Sequence, residues 1–251
     1  MHLLSMVIGI AGSFLELALL FRAWRGALLR HFPLFYSYIA YVFVGSTATF
    51  ALYYLRSRFY PLAFWYFFLV GLLAEFAVLA QIGDHIFDSY PAVRVLGRFV
   101  ICSVTAISLV YILPGLINPA SKARGLFDFT KGTLLAKAAI VIVLLAAARH
   151  VGIPLGRNVA GMLFGFSLYL GINVPNFVLH DAFGPAIYSR TFSTIGPLSW
   201  DLCLLAWTVA LWRYEPAIPA PIRVGESGTP AAALRYRLEQ FNTALESLLR
   251  K

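Results

Sequence analysis

The chain has 251 residues, of which 60% are hydrophobic and only 12% are charged. A soluble domain carries about a quarter charged residues and about half apolar ones, so a single water-soluble core does not account for this composition. The formal net charge of +9 comes from Lys and Arg residues that lie between the apolar runs and in the C-terminal tail. This is how membrane proteins place their loop charges, so we expect no nucleic-acid partner. Cys102 and Cys203 both lie inside apolar runs and indicate no disulfide framework.

Seven apolar runs follow one another along the chain. They cover 3–21, 32–55, 61–83, 97–117, 133–149, 158–180 and 192–212. Runs of about 18 residues or more are typical of spanning helices, since about 20 residues at 1.5 Å each cross the ~30 Å hydrocarbon layer. They lack the polar and apolar alternation of barrel strands. The sequence therefore predicts an all-α polytopic membrane protein, a bundle of seven transmembrane helices over 1–214 in contact with lipid.

The arrangement of the spans is suggested by charge and by their number. An N-terminus outside places thirteen of the twenty Lys and Arg residues on the inner side, which agrees with the positive-inside rule. We therefore expect a cytoplasmic C-terminus, in the bacterial inner membrane or another plasma membrane. The first three and last three spans could form the three-plus-one-plus-three arrangement of small transporters. Their residues do not match well enough to establish a repeat.

The tail changes character after the last span. A linker rich in Pro, Gly and Ala covers 215–228, and 229–251 follows with apolar residues at 4-3-4-3 spacing. This spacing predicts a short amphipathic helix on the cytoplasmic side. Such a helix could lie on the membrane, pack on the inner loops, or pair with a protein partner or a second copy of the chain.

Three acidic residues, Glu16, Glu75 and Asp201, lie inside predicted spans. A charge in a span costs several kcal/mol, so each is a candidate functional group. Small residues lie on the same helix faces as these three acids, which favours an orientation of the acids towards the interior of the bundle. No Lys or Arg is predicted at the same depth, and Arg98 is the nearest candidate. The acids are therefore expected either to be neutral and hydrogen-bonded to neighbours, or to face water or a cation.

The sixth run carries the longest polar stripe. It contains Asn158, Gly161, Gly165, Tyr169, Asn173, Asn176 and His180, which fall within an arc of about 120°. This stripe could line a cavity open to the outside, or it could form hydrogen bonds between helices. A similar, weaker stripe in the second run contains Tyr38, Tyr41, Gly45 and Thr49.

Enzymatic and cofactor chemistry finds no support in the sequence. His85 and His180 each adjoin an aspartate. His85 is predicted at the inner end of the third span and His180 at the outer end of the sixth, so one metal ion cannot bind both. There is no nucleophile elbow, and the last span has no lysine for a retinal Schiff base. We therefore expect no catalytic residues, no metal and no cofactor.

Two functions remain. The first is a receptor-like or regulatory protein that binds a small or lipidic ligand in a cavity between the second, third, sixth and seventh spans. The alternative is a small secondary transporter or proton- or cation-coupled carrier that uses the membrane-embedded acids. The predicted ligand- or ion-binding residues are Glu16, Glu75, Asp201, Tyr41, Tyr169, Asn173, Asn176 and His180.

Overall fold

The computed structural model describes residues 2–26, 28–88, 90–117, 122–151, 153, 155–215, 236, 239, 240 and 243. Within these residues the secondary structure is helical and contains no strand. The predicted linker (215–228) and amphipathic helix (229–251) lie almost entirely outside the described residues. The four described tail residues beyond 215 are helical.

Seven long helices and one short helix make up the described part of the chain. They are α1 (His2–Arg25), α2 (Leu28–His31), α3 (Pro33–Tyr54), α4 (Tyr60–Ile86), α5 (Pro91–Ile117), α6 (Lys122–Val151), α7 (Arg157–Phe183) and α8 (Pro185–Ala210). Each predicted apolar run corresponds to one of the long helices; five runs lie within their helices, and the runs 32–55 and 192–212 extend beyond α3 and α8 by one or two residues. The largest difference in bounds concerns α6, which begins at Lys122 where the apolar run begins at 133.

Proline and glycine residues set several helix boundaries. Pro33, Pro61 and Pro185 lie in the first turns of α3, α4 and α8, where the missing N–H group has no helical partner to lose. Gly184 joins α7 to α8 with φ 74° and ψ 161°, a conformation that glycine adopts readily. This single residue lets α8 fold back along α7.

Six of the long helices form a ring. Contacts run from α1 to α3, α4, α6, α7 and α8 in turn, and α8 contacts α1 again. Helix α5 contacts α4 and α6 and lies outside this ring, whereas α4 also contacts α7 across it. In chain order, the ring helices α1, α3 and α4 precede the peripheral α5, and α6, α7 and α8 follow it; we call these two groups the three-helix units. The three-plus-one-plus-three repeat stays a prediction.

The ring is packed at one end. Because short connections make successive helices antiparallel, α1, α4, α6 and α8 all begin at the same end, which we call the N-terminal end. The tightest packing lies towards the opposite end, where Trp207 is fully buried with its ring 5.0 Å from those of Phe35 and Phe166. Its indole N–H also donates to the carbonyl of Met162 at 3.1 Å. Side chains are therefore closely packed around Trp207 in this half of the bundle, where the described residues also line a small cavity of about 90 Å³ near His31 and His85.

The outer surface of the bundle is apolar. Large side chains such as Phe14, Ile107, Ile142 and Phe164 are exposed on it. Five helical segments are long and apolar enough to cross a membrane, namely Val7–Arg25, Pro33–Tyr54, Tyr60–Ile86, Phe127–Arg149 and Arg157–Phe183. The structure thus supports an integral membrane protein with lipid contact. The seven-span count and the orientation stay predictions.

Candidate functional site

A cavity of about 770 Å³ lies inside the ring and is lined by side chains from all six ring helices. It extends from Tyr53 and Tyr60, beside the α3–α4 turn at the N-terminal end, to Glu16 and Glu75 in the middle of α1 and α4. Beyond these acids lies the packed half of the bundle. The cavity therefore extends from the N-terminal end, where we call its wide part the mouth, to a floor near the middle of the helices.

The three predicted acids meet in this cavity. Glu16 on α1, Glu75 on α4 and Asp201 on α8 all belong to its lining. Tyr41 and Tyr169, which were also predicted as binding residues, line it too. Their role in binding a ligand stays a prediction, but their convergence from different helices is a property of the fold.

Glu75 forms a buried ion pair with Lys137 of α6. The two side chains are only 16% and 6% exposed, and Tyr38 donates its hydroxyl to the second carboxylate oxygen of Glu75 at 2.9 Å. The expectation that no Lys or Arg lies at the depth of the acids is therefore wrong for Glu75. Because α6 begins at Lys122, Lys137 occupies the middle of its helix and not its end.

Arg98, the cation that the sequence suggested as the nearest candidate, lies elsewhere. Its guanidinium donates to both carboxylate oxygens of Asp84, with Nε distances of 2.8 and 2.9 Å. Asp84 belongs to the last turns of α4, towards the end opposite the cavity mouth. This pair therefore joins α4 to α5 and takes no part in the cavity.

Glu16 and Asp201 have no cationic partner among the described residues. Glu16 is 3% exposed, and its Oε1 accepts a hydrogen bond from the Trp200 indole at 3.2 Å. Its Oε2 is buried without a partner. Asp201 lies against Gly12, since a Cβ atom added there would be 2.6 Å from Asp201 Oδ1. The lack of a side chain at Gly12 thus makes room for this carboxylate between α1 and α8.

Trp200 lies at the centre of the cavity floor. Its ring makes edge contacts with Tyr38 and Tyr169, at centroid distances of 6.1 and 5.7 Å, an arrangement favoured between aromatic rings. Trp200 donates a hydrogen bond to Glu16 and contacts Tyr38, which donates to Glu75. It therefore links Glu16 to the Glu75–Lys137 pair. Neither Trp200 nor Lys137 was predicted as a site residue from the sequence. For Trp200 the one indication was its position next to Asp201, since a tryptophan by itself is equally typical of an interfacial or lipid-facing position.

Aromatic side chains surround the mouth of the cavity. They are Phe50, Tyr53, Tyr60, Phe64, Phe67 and Phe68. Tyr41 lies between this mouth and the floor, and its hydroxyl donates to the carbonyl of Phe67 at 3.1 Å. The cavity thus changes from an aromatic mouth to a charged floor, and it can accept a molecule with an apolar part and a charged part.

The polar stripe of α7 mainly packs against α8. Asn173 donates to the hydroxyl of Ser199 at 2.5 Å, and Asn176 donates to the carbonyl of Phe192 at 3.4 Å. The ring of His180 contacts those of Phe127 and Phe192 in tilted arrangements, with centroid distances of 4.6 Å in both cases. None of these three polar residues lines the cavity; of the residues in the stripe, only Tyr169 does. The structure favours interhelical hydrogen bonding for the stripe, and the cavity involves α1 and α6 as well as the four predicted spans.

Neither a metal site nor a similarity to a known protein helps to identify what the cavity binds. Among the described residues, no group of three or more His, Cys, Asp or Glu side chains could hold a metal ion. Comparison with known proteins gives no match to a family model, to a curated protein or to a solved structure. The function must therefore be inferred from the geometry and charge of the cavity.

Proposed function

We propose that this protein is a small secondary transporter, a proton- or cation-coupled carrier whose substrate binds in the cavity. The observation that carries the proposal is the convergence of Glu16, Glu75, Asp201 and Lys137 in one space of about 770 Å³. Ionisable residues within spans are costly, and in transporters they mark substrate and proton sites near the midplane. Acids with a purely structural role would be expected in packed surroundings.

The acids also lie at the two seams between the three-helix units. Glu75 and Lys137 join α4 to α6, while the Trp200–Glu16 hydrogen bond joins α8 to α1. Protonation of Glu75 would remove its attraction to Lys137 and so weaken the contact between α4 and α6. A cation bound at Glu16 would change the contact between α8 and α1. Binding could therefore alter the balance between two arrangements of the units, which is what coupling requires.

The proposal places all seven long helices across the membrane. With the N-terminus outside, the mouth of the cavity faces outwards and the packed half faces the cytoplasm. The tail then begins on the cytoplasmic side, where 229–251 can meet lipid or a protein partner.

Flux through reconstituted protein tests the carrier proposal. Liposomes with an imposed proton gradient would be offered labelled solutes of cationic, zwitterionic, neutral and anionic type. We expect uptake of at least one class, with loss of the coupled component in Glu75→Gln. Asp88→Asn is the matched control, because Asp88 is an exposed acid at the opposite end of α4. Absence of protein-dependent uptake for every class would contradict the proposal.

A receptor-like binding protein is the second candidate. It is favoured by the dense packing around Trp207, because a receptor needs a cavity with a mouth but no path through the bundle. A receptor would signal to a partner through 229–251. Ligand binding without uptake would support this candidate, together with loss of partner binding when 229–251 is deleted and the bundle still folds. Partner binding that survives the deletion would count against it.

A further inference from the structure

We propose that the cavity binds a small organic cation, an ammonium group that carries an apolar body. The ammonium would lie on the floor between Glu16 and Asp201, near Trp200, and the apolar body would extend towards the aromatic mouth. This inference deepens the proposed function, because it concerns the same cavity and assigns its substrate class. It needs binding at the site but does not need transport.

The charge balance of the cavity favours a cation. Its described lining contains three carboxylates and one ammonium group, that of Lys137. Lys137 is already paired with Glu75, which leaves Glu16 and Asp201 without a compensating charge. Glu16 is buried, whereas Asp201 is half-buried. An uncompensated charge in buried surroundings is strongly unfavourable, so a ligand that brings a positive charge close to Glu16 is stabilised there. A zwitterion would bring a carboxylate for which the described lining offers no free cation.

The position of the two acids suits a single ammonium group. Glu16 follows Gly12 by one helical turn, about 6 Å along α1, and Asp201 lies against Gly12. Both carboxylates therefore lie along the seam between α1 and α8. The buried Oε2 atom of Glu16 has no hydrogen-bond partner, so a positive charge placed beside Glu16, with or without an N–H group, would compensate its carboxylate without competing for an existing bond. The empty acceptor is an observation independent of the charge count.

Size and aromatic lining favour an organic cation over a metal ion. Cavities of about 300–1,000 Å³ are typical of small-molecule sites, and this one measures about 770 Å³. A bare divalent ion needs several ligands within about 2.6 Å, and among the described residues no group of three or more His, Cys, Asp or Glu side chains could hold one. Ammonium groups are attracted to aromatic faces, and Trp200, Tyr38 and Tyr169 lie together at the floor.

Calorimetric titration of the full chain in detergent tests this inference. The probes are tetramethylammonium, choline, the uncharged carbon isostere of choline, and glycine betaine as the zwitterion. We expect choline to bind at least tenfold more tightly than its isostere and than glycine betaine. This comparison uses the wild-type protein and depends on no variant.

Two variants locate the site. Glu16→Gln and Asp201→Asn should each weaken choline binding at least tenfold, whereas Asp88→Asn should leave it unchanged. A single symmetric size-exclusion peak would show that each variant is folded. The inference is overturned if neither cation binds, if the isostere or glycine betaine binds as tightly as choline, or if folded Glu16→Gln and Asp201→Asn both bind choline like the wild type.

Binding and flux can fail separately. If choline binds but no solute is taken up by liposomes, the carrier proposal falls and the cation site stands. If neutral or anionic solutes are transported and no cation binds, the carrier proposal stands and the substrate class is wrong.

Discussion

The pairing of Glu75 with Lys137 sets the stability of the cavity floor. Lys137 is buried and the Glu75 side chain is only 16% exposed, so each charge depends on the other for most of its compensation. Replacing both members of a buried pair can be nearly neutral, whereas removal of one member leaves an isolated charge. The hydroxyl of Tyr38 holds one carboxylate oxygen of Glu75 but cannot replace the positive charge.

Removal of Lys137 alone should destabilise the bundle. We expect Lys137→Met to lower the free energy of unfolding by about 3–5 kcal/mol, and the double variant Glu75→Gln/Lys137→Met to recover most of this loss. Unfolding in detergent, followed by circular dichroism, measures both. Lys131→Met is the matched control on the same helix, because the ion pair of Lys131 with Asp181 is solvent-exposed and should matter little. A stable Lys137→Met variant would contradict a structural role for the pair.

Individual residues differ in how far the sequence could reveal them. The three acids were recognisable because an acid in an apolar run is costly wherever the helix begins. Lys137 was misplaced because its depth depends on the start of α6, and the eleven residues 122–132 that precede the predicted start are mostly polar or small. Trp200 gave no signal of its own, because an interfacial or lipid-facing tryptophan has the same sequence pattern.

At the scale of the helices, Gly12 controls the approach of α1 to α8. A Cβ atom added at Gly12 would lie 2.6 Å from Asp201 Oδ1, whereas one added at Gly9, a turn nearer the mouth, would meet nothing within 4 Å. We expect Gly12→Ala to displace the Asp201 carboxylate and weaken choline binding at least threefold. Stability should change by no more than about 1 kcal/mol, because alanine favours the helix.

Gly9→Ala is the control for that change. It adds the same methyl group to the same face of α1 and should leave choline binding intact. Titration of both variants under identical conditions gives the comparison. Equal binding by Gly12→Ala and the wild type would show that the position of Asp201 does not matter for the cation.

The contact between α7 and α8 depends on glycine at position 165. A Cβ atom there would overlap the indole of Trp207, whose N–H donates to Met162. We expect Gly165→Ala to lower the free energy of unfolding by about 1–3 kcal/mol through overpacking. Gly171→Ala on the same helix should have no cost or a small gain, since nothing lies within 4 Å of that position. Equal stability of the two variants would argue against close packing at this seam.

The two polar stripes show what periodicity leaves undetermined. The stripes on α3 and α7 have similar spacing, yet Tyr41 lines the cavity while Asn173 donates a hydrogen bond to Ser199 on α8. A helical period identifies the face that points inwards. Whether that face meets a cavity or a neighbouring helix depends on the partner helix, which one helix's own sequence does not specify.

At the scale of the whole molecule, the long helices were predicted from the sequence, whereas the ring that six of them form was not. Closure depends on the contact of α1 with α8, which are separated by most of the chain. No local pattern encodes such a contact. Small residues such as Gly12 allow it, but they would allow an approach by any helix. The peripheral position of α5 likewise became visible only through its neighbours, α4 and α6.

The direction of the cavity mouth follows from the membrane topology. In the proposed seven-span arrangement, Ser57 of the α3–α4 turn is outside, whereas Asp88 after α4 and Glu215 after α8 are inside. Each would be changed to cysteine in turn, after replacement of the exposed Cys102 and the buried Cys203. We expect a membrane-impermeant maleimide to label Ser57→Cys in intact cells and the other two variants only after permeabilisation. The reverse pattern would turn the mouth towards the cytoplasm, and labelling of both Ser57→Cys and Glu215→Cys from outside would mean that the number of crossings between them is even, which contradicts seven spans.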